Sequence, residues 1–191
     1  MKPFSLIFSL MLCVFITACK DAPKEAQTGE PSRETPVTQA SAEPAPVYQQ
    51  LGEATLYKLA GGTEMLSQYR GKPLIINVWA SWCGPCRAEM ASLDRLASRY
   101  HGKQFNVIGV STDDDTQAAA DYVKQSKLSF PNYLDSRDFY IEGMLGASNI
   151  PLTVLVSADG RILEKVNGAR EWDEPDIVRA IGEIFQVKLQ N

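Results

Sequence analysis

Residues 79–89 read WASWCGPCRAE, and this stretch decides the fold. It follows an apolar run of strand length, Leu74–Ala80 (LIINVWA), and precedes a segment with helical periodicity. Met90, Leu93, Leu96, Ala97 and Tyr100 recur at helical spacing, which predicts a helix from about Gly84 to Arg99. Cys83 and Cys86 therefore fall at a strand-to-helix junction, three residues apart. A near-continuous apolar run suits a central strand covered on both faces. A Cys at a helix start meets free backbone N–H groups and the positive end of the helix dipole, and both stabilise a thiolate. The thiolate is the form that attacks disulfides. Spacing of i, i+3 puts the two side chains on one face, close enough to close a disulfide. Pro85 is tolerated in a first turn, where its missing N–H is no loss. Cys83 is expected to be the exposed nucleophile and Cys86 the resolving thiol beneath it.

Outward from this junction, Phe105–Ser111 (FNVIGVS) and Leu152–Val156 (LTVLV) read as two more buried strands. Thr55–Leu59 and Phe130–Leu134 read as weaker ones. Short helices are expected after Thr63, through Tyr69, and over Phe139–Leu145, with a longer one from about Thr116 to Ser126. Ser157-Ala158-Asp159-Gly160 is a turn signal that returns Arg161–Val166 as an antiparallel partner. Asp173–Leu189 reads as a closing amphipathic helix with Ile177, Ile181, Ile184 and Phe185 on one side. Strands alternating with helices, then a hairpin, then a helix, predict an α/β fold: a mixed central sheet with helices on both faces.

The chain has 191 residues, a net charge of −4 and 45% hydrophobic residues. That is a globular composition, and without a Lys/Arg block it points to no nucleic-acid partner. Met1-Lys2 followed by PFSLIFSLMLCVFITA fits the start of an export signal, too short for a membrane-spanning helix. Lys20–Val47 is rich in Pro, Glu, Ala, Thr and Ser and has no aromatic residue. It cannot bury enough apolar surface to offset its ordering entropy, so a disordered tether is expected, with a reach on the order of 30 Å. The folded domain is expected over residues 48–191. An export signal implies an oxidising compartment. Of the four cysteines, Cys13 lies in the signal and Cys19 at its end. Cys83 and Cys86 then form the sole pair of the folded part, free for chemistry.

Other residues draw plainer readings. His101 is expected as a cation at the helix end beside Gly102, and Asp113-Asp114-Asp115 as a loop and helix N-cap rather than a metal site. Trp79 and Trp82 are expected to pack in the core and against the site wall. A structural zinc site lacks ligands, since there is no second CxxC and only one histidine. No metal is expected. Three uses of the cysteine pair stay open: disulfide exchange, a copper-binding module, and a thiol peroxidase.

VWASWCGPC resembles the thioredoxin-fold proteins. With GKPLIINVWASWCGPCRAEM, FNVIGVSTDD and IPLTVLVSADGRI, the chain is similar to the TlpA/ResA-like thiol–disulfide oxidoreductases of the bacterial envelope, membrane-tethered lipoproteins among them. Ile16-Thr17-Ala18-Cys19 resembles a lipobox, which implies signal cleavage after residue 18 and lipidation of Cys19. Several acyl chains would hold firmly, at about 0.8 kcal/mol per buried CH₂. The resemblance implies a thioredoxin-like fold and a monomer that reduces envelope protein disulfides, re-reduced by an upstream membrane dithiol donor. It implies no cofactor beyond the Cys83/Cys86 disulfide. Ile150-Pro151 matches the cis-proline loop, where Ile150's backbone would bind an extended substrate beside Trp82, Gly84 and Pro85. Glu89 matches a glutamate that could take the Cys86 proton; its plain alternative is a solvated helix glutamate. Cytosolic thioredoxins carry a buried aspartate at the position of Asn77. Asn exchanges no proton, which shifts weight to Glu89. The competing copper carrier, of the Sco type, wants a distal histidine as well as two cysteines.

Overall fold

The computed structural model describes residues 48–135 and 140–189. The expected signal, Cys19 and the tether lie outside them. Among the described residues seven strands form one sheet: β1 (Thr55–Lys58), β2 (Thr63–Met65), β3 (Leu74–Trp79), β4 (Asn106–Ser111), β5 (Asn132–Leu134), β6 (Leu152–Val156) and β7 (Ile162–Asn167), in the order β2-β1-β5-β4-β3-β6-β7. The helices are α1 (Gly84–Tyr100), α2 (Thr116–Ser126), α3 (Tyr140–Leu145) and α4 (Pro175–Phe185). β3 runs parallel to β4 and antiparallel to β6; β4 is parallel to β5; β7 and the β1–β2 pair are antiparallel additions. The sheet is mixed in direction, as expected.

The period of two along β3, with a core on each face, explains why its run is apolar at every position but Asn77. Ile75 and Trp79 face a core built with Met90, Leu93 and Leu96 of α1 and Val178, Ile181 and Phe185 of α4. Leu74, Ile76 and Val78 face a second core, with Ile141 and Leu145 of α3 and Leu56 and Leu66. Asn77 shares the α1 face with Ile75 and Trp79, as the polar exception in a buried strand. Fully burying each large aliphatic side chain stabilises by about 1.5–3 kcal/mol.

Two expectations change. The helix after Thr63 is instead β2 followed by a 3₁₀ turn over Leu66–Tyr69. Gly61 and Gly62 both adopt positive φ, and the turn they make folds Thr63–Met65 back onto β1. The closing helix is also shorter than expected. It starts at Pro175 and stops at Gln186, whose φ of 55° ends it.

Candidate active site

Cys83 is the N-cap of α1, with Gly84 and Pro85 in the first turn. The Cys86 backbone N–H donates to Cys83 Sγ at 3.2 Å, so the sulfur occupies the place a capping oxygen usually takes. The two cysteines are joined in a disulfide, with Cα atoms 5.3 Å apart. Cys86 is sealed and Cys83 is 6% exposed, so the expected nucleophile shows only a small window to solvent. Trp82, Gly84 and Pro85 form the exposed rim of that window. A Cβ at Gly84 would meet no atom within 4 Å, so the rim is open at that residue. Trp82 is 71% exposed and belongs to this rim, not to the core; Trp79 is fully buried.

The loop before β6 closes the other side. The Ile150–Pro151 peptide bond is cis, and the Ile150 carbonyl oxygen lies 3.9 Å from Cys83 Sγ. A cleft opens where Trp82 and Ile150 meet Asp114 and Glu142.

Glu89 is 1% exposed, so it is not the solvated helix glutamate of its plain reading. Its Oε1 accepts from Asn77 Nδ2 at 2.8 Å. Its Oε2 accepts from the Trp172 indole N–H at 2.9 Å and from the Arg170 backbone N–H at 3.1 Å. Burial pushes the carboxyl above the ordinary carboxylate range, against these hydrogen bonds and the Arg170 charge. The segment after β7 holds this arrangement. Ser92 Oγ receives the Trp172 backbone N–H and donates to the Glu89 carbonyl, and Arg95 forms a two-point ion pair with Asp173. On the far side of Asn77, its Nδ2 also donates to Thr153 Oγ1 at 2.9 Å, across the β3–β6 pairing.

Two more acidic and basic groups take places the sequence did not reveal. Asp113 is buried and accepts from Ser81 N, Ser81 Oγ and Ser111 Oγ, fastening the residues before Trp82 to β4. Asp115 caps α2, as expected, through Gln117 N. His101 is not placed as the expected helix-end cation. Its Nδ1 accepts the Val107 N–H, and burial, with the Lys72 charge adding to it, holds its pKa below the usual value. Sequence reasoning missed Trp172 and Arg170 because they sit in a polar segment without periodicity. Asn77 did carry a signal, as the one polar residue in LIINVW.

A family model described as Redoxin matches residues 40–181. The chain belongs to the Redoxin family. Its sheet and helices form a thioredoxin-like fold, and the chain is a ResA-like member of that superfamily. It is 30% identical to the thiol-disulfide oxidoreductase ResA of Bacillus cereus over 116 residues, which is 61% of this chain and 66% of that one. It is 31% identical to ResA of Oceanobacillus iheyensis, over 58% of this chain and 57% of that one. The match thus spans less than two thirds of these relatives. Among solved structures, a Chlorobium tepidum protein assigned as thiol:disulfide interchange protein DsbE superposes with a TM-score of 0.65 at 25% identity, covering 72% of this chain and 96% of that one. A secreted Mycobacterium tuberculosis disulfide oxidoreductase homologous to E. coli DsbE superposes with a TM-score of 0.58 at 26% identity, covering 70% and 96%.

Proposed function

We propose that this protein is a thiol:disulfide oxidoreductase of the bacterial envelope that reduces disulfides in protein substrates. The observation that carries this is the Cys83–Cys86 disulfide at the start of α1, beside the Ile150 carbonyl and one turn before buried Glu89. In the reduced protein, the Cys86 amide and the free N–H groups of the first turn favour a Cys83 thiolate. That thiolate attacks one sulfur of a substrate disulfide. One S–S bond forms, the substrate bond breaks, and the leaving thiolate takes a proton from water. Glu89 accepts the proton of the Cys86 thiol. The Cys86 thiolate then attacks Cys83, closing the enzyme disulfide. The second substrate sulfur leaves as a thiolate and is protonated from the solvent, to which Glu89 returns its proton, so the substrate departs as a dithiol. Two electrons pass from enzyme to substrate, and an upstream membrane dithiol donor restores them. The Ile150 backbone and the rim of Trp82, Gly84, Pro85 and Pro151 hold the substrate segment in extended form.

The Gly-Pro dipeptide matches reducing thioredoxins and supports reduction over oxidation. The ResA and DsbE likenesses support an envelope setting. In this reading residues 1–18 are a cleaved signal, Cys19 carries lipid, and residues 20–47 tether the domain as a monomer. No helix among the described residues is long and apolar enough to cross a membrane. Cys19→Ala should abolish incorporation of labelled palmitate and release the protein from membranes. Copper carriage finds no support. His101 is engaged with Val107 at the far end of α1, and a helix of 17 residues spans about 25 Å.

The deciding experiment is a Cys86→Ser trap. It should accumulate mixed disulfides on Cys83 in cells, and the wild-type protein should reduce insulin when supplied with dithiothreitol. Adducts that form equally with Cys83→Ser, or insulin left intact, would overturn the assignment.

A further inference from the structure

Glu89 has three hydrogen-bond partners, and they differ in one respect that matters. The Arg170 backbone N–H and the Trp172 indole N–H, both on Oε2, are donors with no capacity to accept. They suit an ionised carboxylate and leave no place for a proton on Oε2. Oε1 faces Asn77, whose amide has a donor end and an acceptor end. The donor end, Nδ2, now serves both Glu89 and Thr153, while Asn77 Oδ1 is buried without a hydrogen-bond partner. A neutral Glu89 in this arrangement would aim its O–H at an N–H.

We propose that Asn77 is the positioning residue that lets Glu89 hold a proton, by turning its amide end for end. The proton sits on Oε1. Turned, Asn77 presents Oδ1 to Glu89 and to Thr153, accepting one O–H from each. Thr153 is buried, and its hydroxyl reverses from acceptor to donor without moving the oxygen. The turn carries the Asn77 N–H pair to the side where Oδ1 has no partner now, and it exchanges the two present N–H donations, one of which a proton on Oε1 would oppose, for two accepted O–H bonds. The amide therefore follows the proton rather than turning freely. Arg170 is the charged group whose field acts on the carboxylate, and Cys86 lies one turn before Glu89 on α1. Thr153 stands two residues after Pro151, so the turn links the proton to the strand that carries the substrate loop.

This deepens the proposed function and rests on Glu89 as the proton acceptor of that reading. Its test does not need turnover. Side-chain NMR of the disulfide form, from about pH 4 to 10, follows Glu89 ¹³Cδ and the Asn77 amide across the carboxylate range and well above it. The Asn77 amide signals should move with the Glu89 midpoint. The contact between the Asn77 Hδ2 protons and the Thr153 methyl should weaken at least twofold on the acid side. Glu89→Gln supplies a fixed donor at position 89 and should hold the acid-side pattern at every pH. A flat Glu89 signal, an Asn77 contact that ignores Glu89 titration, or an alkaline-side pattern in Glu89→Gln each overturns the proposal. If Glu89→Gln fails to fold, the wild-type titration decides alone. Insulin left unreduced beside a moving Asn77 would overturn the oxidoreductase assignment and leave the amide turn standing. Reduction with a still Asn77 would do the reverse.

Discussion

Glu89 is held between two opposed effects: burial favours its neutral form and three N–H donors favour its charge. Burial is the larger, so the folded carboxyl titrates above the 4.5 of an unperturbed glutamate. The sign of its contribution to stability follows. A raised pKa stabilises the fold below the unfolded value, and that contribution is lost as pH rises through the folded value. Glu89→Gln has no such loss. Its stability relative to wild type should grow through that window, by about 1.4 kcal/mol for each unit of displacement, and then level off. Urea unfolding of both proteins on either side of the window measures it; a constant gap refutes the burial account. The same substitution should slow Cys86-dependent release of a mixed disulfide by about 10²-fold or more. His101 gives the opposite sign. Its pKa is lowered from 6.5, so its contribution is present above 6.5 and lost as pH falls through the folded value. Wild type should lose stability on acidification through that window, relative to His101→Gln, which pays a fixed cost for the weakened Val107 bond.

Elements place these residues, and the loop between β4 and α2 shows how. Three acidic residues stand side by side there, yet only Asp113 turns inward, to Ser81 and Ser111. Asp113→Ala strands a backbone N–H and two hydroxyls in a largely buried place. It should cost about 2–4 kcal/mol in urea unfolding, whereas exposed Asp114→Ala should stay within about 0.5 kcal/mol. Equal effects would mean the loop is not fastened through Asp113. The strand–cysteine–helix junction was legible because each part repeats a local rule: an apolar run, a capping position, a stripe at helical spacing. The central strands and the β6–β7 hairpin were legible for the same reason. β2 was not, because three residues, Thr63–Met65, carry no period and become a strand only by pairing with β1. The surroundings of Glu89 were not legible either. Helix spacing put it near Cys86, but its burial depends on Trp172, 83 residues further along, in a segment whose composition suggests only surface. Long-range partners of this kind leave no trace in local periodicity.

For the whole molecule, the question is what the Cys83–Cys86 disulfide does for the fold. It closes a loop between residues three apart, so its effect on the unfolded chain is small. In the chain-entropy picture a loop of that size contributes on the order of 2 kcal/mol. The two hydrophobic cores on either side of the sheet contain most of the buried aliphatic and aromatic side chains, and they do not involve that loop beyond Cys83 and Cys86. A domain of this size is stabilised by about 5–15 kcal/mol in total. Reduction should therefore leave the protein folded. The urea midpoint in excess dithiothreitol should fall modestly, the slope should be unchanged, and the far-ultraviolet circular dichroism before the transition should match that of the oxidised form. A reduced protein that is unfolded without denaturant would show that the disulfide is a structural staple. In the proposed function the pair opens and closes in each turnover, which requires a scaffold that persists in both states, and the sheet with its two cores fits that requirement.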